Sequence, residues 1–110
     1  MKNNRKLHLA LGVVDVAASV KEYSKEFGVD PVIVIEDEYA LWRTDTLNVS
    51  IRRSRHDECG KLRHLGWESD EAAEFSVKTD CNGIAWEDFN ASQQAEEINQ
   101  IWPGVEYSAS

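Results

Sequence analysis

The sequence predicts an α+β fold: paired βαβββ-like modules forming a curved mixed sheet around a cavity, with the second module shortened and its helix at the C-terminal end. Three observations predict it. A His-Leu-small phrase opens an alternating strand twice, at His8-Leu9-Ala10 and at His64-Leu65-Gly66. Apolar residues alternate through most of the chain and take helical spacing in only two stretches. Cap and turn residues separate these runs. At 110 residues the chain is the length of one domain, with a first module at 6–54, a polar linker at 55–61 and a second module at 62–104.

The elements follow in order. Residues 6–14 alternate, with Leu7, Leu9, Leu11 and Val13 on one face and His8, Ala10, Gly12 and Val14 on the other. A histidine followed by small side chains leaves space above the sheet. Asp15 caps a helix over 16–27, where Val16, Val20, Tyr23 and Phe27 share a face and Gly28 supplies the stop. Strands follow at Val32–Ile35, Tyr39–Thr44 and Leu47–Arg53, the first two joined by the acidic turn Glu36-Asp37-Glu38. The second half opens with a strand at Leu62–Glu68. Strands at Phe75–Thr79 and Ile84–Phe89 then flank Asp80-Cys81-Asn82-Gly83, and Asn-Gly between alternating runs signals a hairpin. Asn90-Ala91-Ser92-Gln93 has the form of a capping box before a last helix carrying Ala95, Ile98, Ile101 and Trp102, which Pro103-Gly104 ends. The stretch 105–110 carries no clear pattern.

Charge is unevenly placed. The net charge of −8 divides into +1 over residues 1–65 and −9 over residues 66–110. An acidic chain of this kind argues against nucleic acid as a partner, because phosphate neutralisation needs a basic face. The acidic half suits a metal ion or a cationic ligand, or simply keeps the chain in solution. No stretch reaches the length of a membrane span, and the polar start Met1-Lys2-Asn3-Asn4-Arg5-Lys6 lacks an apolar signal core, so a cytoplasmic location is expected. Cys59 and Cys81 lack ligand-like spacing and read as free thiols.

The run from His8 through Asp15, Ser19 and Tyr23 to Phe27-Gly28 resembles the opening of the vicinal oxygen chelate superfamily, which includes glyoxalases, bleomycin-resistance proteins and extradiol dioxygenases. Arg63-His64-Leu65-Gly66 resembles the opening of its second module. Asp80-Cys81-Asn82-Gly83-Ile84-Ala85-Trp86-Glu87 resembles its closing turn and glutamate, with Cys81 in place of a proline. The resemblance implies a divalent metal (Mn, Fe, Ni or Zn) held by His8, His64 and Glu87, with positions left for substrate and water. The glutamate that would close the first module falls near Arg53, which cannot ligate. That arginine is one departure; the second is that the second module lacks a helix after its opening strand and places one after Phe89 instead.

The expected function is therefore small-molecule binding of the glyoxalase or dioxygenase type, with a metal-dependent enzyme as its sharpest form. Glu68, on the same strand face as His64, is the candidate acid, base or substitute ligand. Trp42, Tyr39 and Arg53 are the candidate pocket residues, Trp42 preferred over Tyr39; Arg43, Arg52 and Arg53 are candidates to hold an anionic substrate by paired hydrogen bonds, set against surface ion pairs with Glu36, Asp37 or Glu38. A metal-free ligand-sequestering protein and a non-catalytic interaction module are the alternatives. A homodimer is expected, since small domains often gain by pairing.

Overall fold

The computed structural model describes residues 5–109. Most of the polar start on which the missing signal core was read, Met1–Asn4, lies outside the described residues. Strand β1 (Lys6–Val13) leads to Asp15, whose side chain accepts the Ala18 amide hydrogen and caps α1 (Val16–Phe27). Gly28 ends α1 in the left-handed conformation at φ 72°, where a side chain would be strained. Three strands follow: β2 (Ile33–Ile35), β3 (Tyr39–Arg43) and β4 (Leu47–Arg53). The linker carries a short 3-10 turn at His56–Glu58. Then come β5 (Leu62–Glu68), β6 (Ser76–Thr79) and β7 (Ala85–Phe89), and α2 (Ala91–Ile101).

The expected turn chemistry is present. Asp80 accepts the Asn82 and Ile84 amides and the Trp86 indole, joining β6 to β7. Those hydrogen bonds, led by the one from Trp86, hold its carboxyl below the usual range. Asn90 and Gln93 form both halves of the capping box of α2.

All seven strands lie in one mixed sheet of order β2-β3-β4-β1-β5-β7-β6. The pairs β1–β4 and β5–β7 are parallel, and the remaining pairs are antiparallel. Residues paired across strands share a face, so register sorts the side chains. The inner face takes His8 and Ala10 from β1, Asn48, Ser50 and Arg52 from β4, Tyr39 and Leu41 from β3, His64 and Glu68 from β5, and Glu87 and Phe89 from β7. The outer face takes the apolar alternates.

Each face has its own core. On the outer face α1 packs Val16, Val20, Tyr23 and Phe27 against Val13, Ala40, Trp42 and Ile51. On the inner face Ile98 of α2 packs against Tyr39 and Leu41, flanked by Trp102, Val105 and Tyr107. The final stretch, without pattern in the sequence, is docked: the Asn99 side chain bonds both backbone groups of Tyr107, at 2.9 and 2.8 Å. The outer face of β5 and β7 carries stacked Trp67 and Trp86, ring centres 6.3 Å apart, with the Arg5 guanidinium 3.9 Å from the Trp67 ring. Cys59 and Cys81 are free and exposed. No helix among the described residues is long and apolar enough to cross a membrane.

Candidate metal centre and cavity

His8 and His64 come together because the central antiparallel pair is in symmetric register. His8 lies opposite Gly66 and Ala10 lies opposite His64. The small residue two places after each histidine thus faces the other histidine, and the two imidazoles meet over that gap. Their Nε2 atoms are 2.9 Å apart. Glu87, opposite Gly66 on β7, brings Oε1 to 3.1 Å from His64 Nε2. The three ligand atoms all lie within 4.8 Å of one another. Donors about 2.1 Å from a common ion and about 90–109° apart at it would be separated by about 3.0–3.4 Å; the His8–His64 and His64–Glu87 separations are close to that, and the three residues form a group that could hold a metal ion.

Gly66 makes this approach possible. A Cβ there would sit 2.5 Å from the Glu87 carbonyl oxygen, on backbone that cannot swing aside. Gly66→Ala is expected to push β7 away from β5 at the centre of the site. Urea unfolding should show a loss of about 1–3 kcal/mol, the usual cost of overpacking.

A buried polar chain fixes the histidine. Arg43 forks onto Glu68 with two hydrogen bonds of 2.9 Å, and Lys6 approaches to 3.7 Å. Burial pushes the Glu68 carboxyl upward, but the bonds from Arg43 and Asn48 and the charges of Arg43 and Lys6 outweigh it and hold it low. An ionised carboxylate only accepts, so the Asn48 amide nitrogen must face it, at 2.8 Å. The same nitrogen donates to Gln94 Oε1 at 2.7 Å, and Gln94 returns a bond to Asn48 Oδ1 at 3.1 Å. That orientation turns Asn48 Oδ1 toward His8. His8 Nδ1 has Oδ1 at 2.9 Å and the Asn48 carbonyl at 3.2 Å, two acceptors, so it must carry the hydrogen. The network therefore assigns Nε2 of His8 a bare lone pair directed at His64 and Glu87. Carboxylate or carbonyl partners of this kind orient metal-binding histidines.

The His8 imidazole is held below its ordinary 6.5, first by burial and further by His64, against the opposing Asn48 bonds and Glu87. The unfolded chain takes up this proton near the ordinary value, whereas the folded protein takes it up at lower pH. Between the two the unfolded state binds more protons, so stability falls as pH drops below 6.5. Urea unfolding in chelator should show this decline, and His8→Gln should flatten that segment of the curve.

The centre opens into a cavity of about 200 Å³ between the inner sheet face and α2. Drug-sized ligands occupy about 300–1,000 Å³, so this space suits a smaller molecule. Tyr39, Arg52, Arg63, Phe75, Glu97 and Trp102 are among its walls. Tyr39 and Trp102 pack with ring centres 4.8 Å apart. The Glu97 carboxyl is raised by loss of hydration and by the nearby Glu87 charge, although much of the residue is open to solvent.

Of the residues proposed from sequence, the structure brings His8, His64, Glu87 and Tyr39 to the cavity. Trp42 is corrected: one position of parity from the inner face, it is fully buried beneath α1, with its indole bonded to Ser24. Arg53 is also corrected. It points to the outer face, does not line the cavity and pairs with Glu38 at 2.9 Å. Glu68 does share the face of His64 but is buried in its ion pair and does not line the cavity, so its placement is that of a support for Asn48 rather than an acid or base. Sequence reasoning missed Asn48, Gln94, Arg63 and Glu97. The alternation of Leu47, Val49 and Ile51 already placed Asn48 on the face of His8, and that signal was available.

No family model matches the chain, and no curated protein matches its sequence. Solved structures do match. One, from Legionella pneumophila and described as an NAD-dependent benzaldehyde dehydrogenase, aligns at a TM-score of 0.52 and 9% identity. The match covers 74% of this chain and 96% of that one. At that identity the likeness concerns the fold alone.

Proposed function

We propose that this protein binds a small molecule in the manner of the vicinal oxygen chelate superfamily, using a divalent metal ion at His8, His64 and Glu87. One observation carries the reading: donor atoms of His8, His64 and Glu87, from three strands, gather within 4.8 Å of one another, and the buried Arg43–Glu68–Asn48 chain leaves His8 Nε2 bare toward the others. The sheet supports the modular half of the proposal. Read outward from the centre, β1-β4-β3-β2 is mirrored by β5-β7-β6, each beginning with a parallel pair, so the second module is short by a strand and carries its helix last.

The residues present fit a metal. Two imidazoles and one carboxylate suit Mn, Fe, Ni or Zn and leave positions free on the cavity side. A bound ion would supply Lewis-acid polarisation of an oxygen-bearing substrate. Around it, Tyr39 and Trp102 wall the cavity and exclude water, and Glu97 stands where a proton could be taken or given. In the same reading a second copy of the chain covers Trp67 and Trp86, whose sheet face lacks the helix that α1 provides to the first half. The two free thiols suit a reducing, cytoplasmic setting.

The second reading, a metal-free binder, has its own support. With His8 Nε2 bare, one hydrogen on His64 Nε2 can be shared between His8 at 2.9 Å and Glu87 at 3.1 Å, so the cluster closes without an ion. Metal analysis after purification and after reconstitution with Mn, Fe, Co, Ni and Zn separates the two. Uptake of about one ion per chain, lost in His64→Ala and Glu87→Gln, is expected. No uptake of any of these metals would reject the metal-dependent reading.

A further inference from the structure

We propose that the cavity takes a small organic oxyanion, whose carboxylate or phosphate is gripped by Arg52 and Arg63, resting on the small-molecule reading above but not on the metal. The backbone is built to present Arg63. His64 pairs with Ala10, but the next residue of β1, Leu11, pairs with Leu62, so Arg63 is the extra residue of a β-bulge. Regular alternation would send Arg63 to the face opposite His64. Instead it lines the same cavity as His64, and re-aiming a side chain is what bulges beside binding sites do.

Arg52 arrives from β4 by ordinary register, opposite Gly12, with its guanidinium carbon 5.3 Å from the centre of the Trp102 ring. Stacking over an aromatic face orients the fork without consuming its hydrogen bonds. The decisive contrast is with the neighbouring arginines. Arg43 holds Glu68, Arg53 holds Glu38, and Arg55 holds Asp57 and Glu58. Among the described residues the Arg52 and Arg63 side chains form no ion pair within 4.0 Å and no hydrogen bond, although both charges are felt by the Glu97 carboxylate across the cavity, in a chain with 20 acidic residues against 12 basic ones. Both also line an open groove of about 470 Å³ that adjoins the cavity. An incoming oxyanion can thus reach the two forks from solvent while the rest of the molecule points to His64. Arginine forks recognise carboxylate and phosphate alike through paired charge-assisted bonds.

The test titrates the full chain, in chelator, with glycolate, phosphoglycolate and uncharged glycolamide, followed by heat and by tryptophan emission. Millimolar or tighter binding of either acid, with glycolamide about tenfold weaker or more, is expected. Arg52→Gln and Arg63→Gln should each weaken the acid about tenfold or more without changing glycolamide, while Lys21→Gln on α1 should change neither. If a Gln variant fails to unfold cooperatively, Arg→Lys at the same position keeps the charge, loses the fork and should give an intermediate affinity. Preference for phosphoglycolate assigns a phosphate, and preference for glycolate assigns a carboxylate. Absence of binding by either acid, equal binding of glycolamide, or acid binding unchanged in both arginine variants overturns the proposal. Metal uptake of the same variants is measured separately, so loss of the metal reading leaves this result legible.

Discussion

Replacing Asn48 with Leu is expected to be the most damaging single change in this protein. Asn48 is fully buried, and four side-chain groups depend on it: the His8 imidazole, the Glu68 carboxylate, and both the donor and the acceptor of Gln94. Leu matches it in size, so no large cavity opens. The cost comes from stranding polar partners that cannot reach water. Losing bonds to a buried charge and leaving it short of donors is expected to cost about 3–5 kcal/mol in urea unfolding. The substitution also frees the His8 ring. Outer partners of ligating histidines are worth about 10–100-fold in metal affinity, so any protein that folds should take up metal that much more weakly.

Trp42→Ala should cost a similar amount of stability and do nothing to the site. The indole is fully buried between Tyr23, Phe27 and the outer sheet face, with ring centres 5.9 and 5.4 Å away, and it donates a hydrogen bond to Ser24. Truncation leaves a large void that strands cannot collapse to fill, with an expected loss of about 3–5 kcal/mol. Metal uptake and ligand affinity measured below the unfolding transition should stay at the wild-type value, because the residue lies on the far side of the sheet. A ligand affinity that fell with stability unchanged would restore Trp42 to the cavity wall.

These two residues show what was legible in the sequence. The repeated His-Leu-small phrase was informative because both of its features matter in three dimensions. Ala10 and Gly66 are small because each faces the opposite histidine, and the phrase reports that pairing. Caps at Asp15 and Asn90 and the turn at Asn82-Gly83 were readable for a local reason, since each is closed by hydrogen bonds spanning no more than four residues. Trp42 was preferred over Tyr39 for the cavity, the reverse of what is found, because alternation separates two sets of side chains without saying which set meets a helix. Both sets on β3 are apolar, and both faces are covered, one by α1 and the other by α2. Arg63 was beyond pattern altogether. Its direction depends on one slipped register position between Ala10 and Leu11. The role of Glu68 depended on Arg43 and Asn48, which are 25 and 20 residues away in the chain.

The ion pair of Glu68 also shapes how the centre should respond to conditions. Arg43 and Lys6 keep the carboxylate charged, the charge orients Asn48, and Asn48 holds the hydrogen on His8 Nδ1. The centre is preorganised on strands rather than loops, and its support is buried with it.

The most direct measurement is the tautomer of His8, read from long-range nitrogen–proton NMR correlations of the imidazoles in metal-free protein, before and after addition of zinc. The account predicts hydrogen on Nδ1, a bare Nε2, and a large shift of Nε2 resonances of both His8 and His64 when zinc is added. A hydrogen on His8 Nε2, or imidazole resonances indifferent to zinc, would contradict it.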